Sequence, residues 1–278
     1  MNHSLKIKRL LVGVDGSPYG HVAVELGIRM AKEYSCQLVG IDVIDEDETV
    51  LANYGVPDEV AVAERKAEVE RLRQRAVQSL DWFEQRCQDA DVQAIRCKRS
   101  GNAAAQILLE SQRSDLVVLG RETHFEAESH ADSTVDIVLR TTARPVVTVP
   151  LSLPVEKNVI VAYDGSRSAS QALFAFVALG LGRNRKIHVV SVRSDVDEAT
   201  AVLSPAFDYL TMHGLESEMH SYSSSEDVDK LLLNLAAEFD AGLLVAGACG
   251  HSRFREFLFG SVTKKLIRDS HVPVFLFH

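Results

Sequence analysis

Long apolar runs are missing from this 278-residue chain. No stretch of 18 or more apolar residues exists, so no membrane-spanning helix is expected. Cysteine is scarce. The four (Cys36, Cys87, Cys97 and Cys249) form no CxxC motif, which argues against a disulfide framework or a zinc knuckle and fits a reducing, cytoplasmic setting. A secretory leader is not evident either. The N-terminus MNHSLKIKRLLVGVDGS starts basic, but its apolar stretch is short and runs into Asp15 without a small-residue cleavage site. It reads better as a first β-strand. Positive charge is in deficit too: the formal net charge is −9, which disfavours nucleic acid or an anionic membrane as partner. A local basic patch remains able to hold a small anion.

What is present is an ordinary globular composition, 46% apolar and 25% charged, long enough for one large domain or two of about 140 residues. The chain repeats itself. LLVGVDGSPYGHVAVELGIRMA begins at Leu10 and VIVAYDGSRSASQALFAFVALG at Val159, each an apolar run ending in Asp-Gly-Ser before a helix-like segment. A second pair is SDLVVLGRET from Ser114 and AGLLVAGACG from Ala241. A third is STVDIVLRTTARPVVTVP from Ser133 and SVTKKLIRDSHVPVFLFH from Ser261. This is one fold, duplicated, with domains expected at 1–151 and 152–278 and a linker, SLPVEKN, at 152–158.

The DGS triplets are offset by 149 residues, but Gly120 and Gly247 by only 127. The first half therefore carries about 22 extra residues, placed in a long charged helix within VPDEVAVAERKAEVERLRQRAVQSLDWFEQRCQ. Strands are expected near 8–14, 37–44, 92–98, 115–120 and 145–149, then near 158–163, 186–192, 215–222, 242–247 and 273–277. Short continuous Val/Ile/Leu runs alternating with helix patterns imply α/β architecture with mostly parallel sheets covered on both faces. Such sheets bind ligands beyond the carboxyl ends of their strands, where Asp164 and Gly247 can converge.

The second half carries Gly247-x2-Gly250-x9-Gly260-Ser261. This is neither a Walker A loop nor the GxGxxG fingerprint. Gly260-Ser261 precedes a helix-like segment, whose N-terminal N–H groups and dipole suit phosphate. From 247 to 268 there are five Lys/Arg, Arg253 and Arg255 among them, against one acid. The matching stretch of the first half, GRETHFEAESHADSTV, keeps Gly120 but has Thr123 and Asp132 at the other glycine positions, with one residue fewer between them. From 120 to 141 it has two arginines and five acids. An acid at the helix start would occupy the place of a phosphate and repel it.

Strand-DGS at the start, then G-x2-G-x9-G-[ST] before the last helix, then Pro-Val and a final strand, resembles the universal stress protein family, twice over. The resemblance implies two Rossmann-like domains of the adenine nucleotide alpha hydrolase type, each a mostly parallel five-stranded sheet flanked by helices. It implies ATP, or ADP or AMP, with or without magnesium, bound in the second domain only. By position, Asp164 would lie beside adenine and ribose, Val192 against adenine, and Gly247 near the ribose. Gly250, Gly260 and Ser261 would hold phosphates, with Val262 and Thr263 continuing that helix start. His251 and Arg253 would line the phosphate site. The Pro-led strands PVVTVP and PVFLFH would pair edge to edge, making an intramolecular pseudo-dimer of the two domains, with a homodimer as further assembly.

The function so implied is a stress-response module that binds adenine nucleotide and signals through conformation or partner choice. Two alternatives remain: a slow ATPase or autophosphorylating enzyme, and a nucleotide-free interaction scaffold. The sequence offers no evident general base beside the loop, and the SGGxDS loop of ATP pyrophosphatases is missing. Asp15 reads as a turn former that caps the next helix. Cys249 lies near arginine charge that would lower a thiol pKa, but reads first as a small loop residue. His213 and His220 lack an accompanying HExxH or CxxC, so zinc is not the favoured reading there.

Overall fold

The computed structural model describes residues 7–44, 59–123, 125, 133–223, 227–248 and 260–278. Its residues group into two compact units, one of Lys8–Thr141 and one of Thr142–His278 with Ile7.

The first unit runs β1 (Arg9–Gly13), α1 (Pro18–Tyr34), β2 (Gln37–Ile44), α2 (Glu59–Asp89), β3 (Ala94–Ser100), α3 (Ala103–Ser111), β4 (Leu116–Gly120) and α4 (Thr134–Thr141). Its strands are ordered β3-β2-β1-β4, all parallel. Leu10, Leu11 and Val12 of β1 and Leu116–Leu119 of β4 are wholly buried, as expected of strands covered on both faces. The long charged helix is α2. It buries one stripe, Ala76, Leu80, Phe83 and Cys87, at the three- and four-residue spacing of a single helical face.

The second unit begins with β5 (Val146–Val149). It continues through β6 (Asn158–Ala162), α5 (Arg167–Ala178), β7 (Ile187–Arg193), α6 (Val196–Met212), β8 (Ser217–Ser223), α7 (Val228–Glu238), β9 (Ala241–Gly247), α8 (Ser261–Asp269) and β10 (Val274–Phe277). The strand order is β5-β10-β9-β6-β7-β8. All neighbours are parallel except β5, which runs antiparallel to β10 with Val147 opposite Phe275. The two Pro-led strands do pair edge to edge. In consequence β5, the last strand of the first sequence repeat, packs within the second compact unit. Each repeat still contributes five strands. No helix among the described residues is long and apolar enough to cross a membrane.

In the second unit the chain steps outward from β6 to β7 and β8, then crosses back to place β9 on the other side of β6. The carboxyl ends of β6 and β9 therefore flank a topological switch point, where a crevice opens because the flanking connections diverge.

Candidate functional site

Each DGS triplet makes the same local structure. Asp164 Oδ1 accepts the Ser166 N–H at 2.9 Å, and Gly165 takes φ +73°, a left-handed conformation that favours glycine. Ser166 then caps α5 by accepting the Ala169 N–H at 3.1 Å. In the first unit Asp15 Oδ1 accepts both the Ser17 N–H at 3.0 Å and the Ser17 hydroxyl at 2.7 Å. Gly16 sits at φ +70°, and Ser17 caps α1 through the Gly20 N–H. Both aspartates are thus turn formers, as expected for Asp15.

They differ in where the carboxyl group goes. Asp15 is 1% exposed, and a Cβ on Gly20 would fall 2.0 Å from its Oδ1. The corresponding position in the second repeat is Ala169, which has that Cβ. Asp164 is correspondingly half-buried and borders an open cavity.

That cavity, about 370 Å³, lies in the size range of small-ligand pockets. It has an apolar floor (Ala162, Val190, Val192, Ala246, with Val228 and Leu232 of α7 and Leu266 of α8) and a polar rim (Asp164, Ser166, Ser168, Arg193, Ser261, Thr263). Seven of the ten residues expected at the site line it together: Asp164, Val192, Gly247, Gly260, Ser261, Val262 and Thr263. Gly250, His251 and Arg253 lie outside the described residues, as does Cys249.

The helix N-terminus in this cavity is α8. Gly260 is its N-cap, with no side-chain cap hydrogen bond among the described residues and no acid in the first turn. Its first N–H groups therefore keep their donor capacity for a ligand. The Thr263 hydroxyl donates to the Gly247 carbonyl at 3.2 Å, tying the helix to the end of β9. Lys265 bonds Asp229 of α7 at 3.0 Å, with Asp229 5% exposed. The equivalent helix of the first unit, α4, is closed by its own side chains. Ser133 Oγ accepts the Asp136 N–H at 3.1 Å and donates to the Asp136 carboxylate at 3.0 Å. An acid in the first turn complements the dipole there. Asp132 lies outside the described residues.

Sequence reading missed Arg193, whose guanidinium donates to the Asp164 carbonyl and which places positive charge on the rim. Its position directly after Val192 was the available signal. It also missed Val228 and Leu232. Their four-residue spacing shows that they share a helix face, but not that the face covers the cavity. His213 closes α6 against Tyr209, 4.6 Å between ring centroids. His220 meets a different partner, His188.

The fold recurs in known proteins. A universal stress protein structure from Archaeoglobus fulgidus DSM 4304 aligns with TM-score 0.69 at 22% identity, over 96% of this chain and 95% of that one. A functionally unknown protein of Pseudomonas aeruginosa PAO1 aligns with TM-score 0.57 at 15% identity, over 97% and 92%. In sequence, the universal stress protein Slr1230 of Synechocystis sp. is 28% identical over 167 residues, which is 59% of this chain and 58% of that relative. The match thus spans little more than half of Slr1230. The universal stress protein family model matches residues 6–150 and again residues 156–278. The chain therefore belongs to the universal stress protein family and carries its domain twice in tandem.

Proposed function

We propose that the second repeat binds an adenine nucleotide, ATP in the first instance, and that the protein works as a nucleotide-binding module of the stress response. The observation that carries this reading is convergence. Asp164, Val192, Gly247 and the uncapped start of α8 come from four separate elements and border one cavity. In this reading adenine lies on the apolar floor by Val192, and the ribose lies between Asp164 and Gly247. The phosphates meet the N–H groups of Gly260–Thr263 and the Ser261 hydroxyl, assisted by Arg193. A magnesium ion, if the nucleotide brings one, finds a single carboxylate on the described lining, Asp164.

Binding is the reading taken over hydrolysis: the described lining supplies one acid, a thin set for general acid–base work even with His251, expected beside the phosphates, added. The first repeat, whose α4 start is closed by Ser133 and Asp136, has lost nucleotide binding in this reading and serves structure, dimerisation or another ligand. The β5–β10 pairing supports an internal pseudo-dimer, with homodimerisation as a further step, in a protein of the cytoplasm.

The test is to denature freshly purified protein, identify released nucleotide by mass spectrometry, and titrate the stripped protein with ATP. One adenine nucleotide per chain is expected. Two per chain would overturn the assignment to the second repeat. No release, with no binding at millimolar ATP, would favour the scaffold reading.

A further inference from the structure

A second cluster of chemistry-bearing side chains lies on the outer strands of the same unit. Strands β7 and β8 are parallel, with His188 opposite Glu218 and Val190 opposite His220. Registered partners share a sheet face, and so do residues two apart on one strand. The pairing therefore sets His188, Glu218 and His220 on one face. His188 Nδ1 lies 3.0 Å from His220 Nε2. Glu218 Oε2 lies 3.8 Å from the first nitrogen and 3.9 Å from the second. All three ligating atoms fall within 4.8 Å of one another.

We infer that His188, His220 and Glu218 form a binding site for a divalent transition-metal ion, zinc by its preference for this donor set. Two nitrogens bound to zinc at about 2.0–2.1 Å in tetrahedral geometry stand about 3.3–3.4 Å apart. The imidazoles, which share a hydrogen bond at 3.0 Å, need to give up that bond and open by about a few tenths of an ångström. The carboxylate needs to close in by about half an ångström on the same bond lengths, and its side chain is 49% exposed and able to swing. Lys186 holds Oε1 at 2.7 Å, leaving Oε2 on the histidine side. Two imidazoles and one carboxylate, with the remaining position open, is a known zinc donor set.

The rings are held in place beforehand. Phe239, at the end of α7, stacks on His188 at 4.3 Å and 13° and lies over His220 at 4.6 Å and 36°. Its carbonyl accepts the Asn158 amide at 2.8 Å, which anchors the backbone that carries that ring. His188 is 5% exposed and forms the floor, while Glu218 forms the open rim. None of the three residues lines the nucleotide cavity. His188 is two residues before Val190 on the same strand face, about 7 Å along the sheet.

The probe is Zn²⁺ itself, titrated calorimetrically into chelator-stripped full-length protein, with Co²⁺ visible absorption reporting coordination. Wild type is expected to bind Zn²⁺ at this site. Loss of one ligand weakens it strongly: His220→Ala and Glu218→Gln should each cost at least the ~10–100-fold that loss of an outer-shell partner costs. The Co²⁺ bands should change in both variants. Glu218 is exposed enough that its variant folds even if a histidine variant does not, and melting curves in chelator check this. Wild-type protein that takes up no Zn²⁺ at millimolar concentration overturns the site. So does a titration that Glu218→Gln and a folded His220→Ala leave unchanged, since zinc would then sit on other residues.

Discussion

Gly247 and Ser168 meet at the end of β9: a Cβ on the glycine would stand 2.7 Å from the serine Oγ and 2.7 Å from the Ala169 nitrogen. The same contact exists in the first repeat, where a Cβ on Gly120 would stand 2.6 Å from Tyr19 Cβ. The glycine that closes this strand is required by the helix packed against it, with or without a ligand. Gly120 is therefore present where the rest of the glycine motif is not.

Gly120→Ala and Gly247→Ala should each destabilise the protein by about 1–3 kcal/mol, the cost of overpacking. Urea denaturation measures this. An unchanged midpoint in both variants would show that the contact relaxes freely. Gly247→Ala is accordingly a poor probe of nucleotide binding.

Gly260→Asp is the better probe, because stability and binding should move apart. Gly260 has φ −58° and ψ 147°, which aspartate adopts readily. Aspartate at a helix N-cap exceeds glycine by only about a few tenths of a kcal/mol, and its charge complements the dipole. The variant should melt no lower than wild type and yet fail to bind ATP. Retained affinity in the folded variant would reject the placement of the phosphates.

Asp42 in β2 is wholly buried, and neither carboxylate oxygen has a hydrogen-bond partner among the described residues. Burial raises its pKa from 3.8 to about 7, opposed by the Arg75 charge and reinforced by Asp15. Between those values the folded state keeps a proton that the unfolded chain has lost. Stability therefore falls as pH rises through that window and levels off above it. Asp42→Asn should be the more stable protein at pH 8, by up to about 4 kcal/mol from that shift. The gap should close by pH 4. Denaturant curves at the two pH values measure it, and a gap that is independent of pH would contradict the cause.

The thiols of Cys36, Cys87 and Cys97 are buried. Burial pushes Cys36 up to about 11, with Asp115 adding, and Cys87 up to about 12, with Glu25 adding. It raises Cys97 as well, with Glu110 adding. Because the thiolate is the reactive form, iodoacetamide at pH 8 should leave all three unmodified in the native protein and label them after unfolding. Peptide mapping reads the result. Rapid native labelling at any of the three would show that its cover opens.

The sequence determined what near neighbours decide. Most of the described strands follow from runs of Val, Ile and Leu, β3 (AIRCKRS) and β8 (SEMHSYS) being the exceptions, and all fall within a few residues of expectation. The DGS turns follow from an aspartate that bonds a residue two positions on and a glycine at positive φ. The start of α4 is read in the sequence through Asp132, which lies outside the described residues, and its closure by Ser133 and Asp136 comes from the structure. Tertiary structure decided what depends on pairing across long separations. Only the packing of α5 on β9 shows why residue 247 must be glycine. Only the β5–β10 pairing moves the last strand of the first repeat into the second compact unit. Only the register of β7 with β8 sets His188 against His220, thirty-two residues away. Local pattern fixes which way a side chain points along its own element, while a site is made by which elements lie side by side, and that is set by the sheet as a whole.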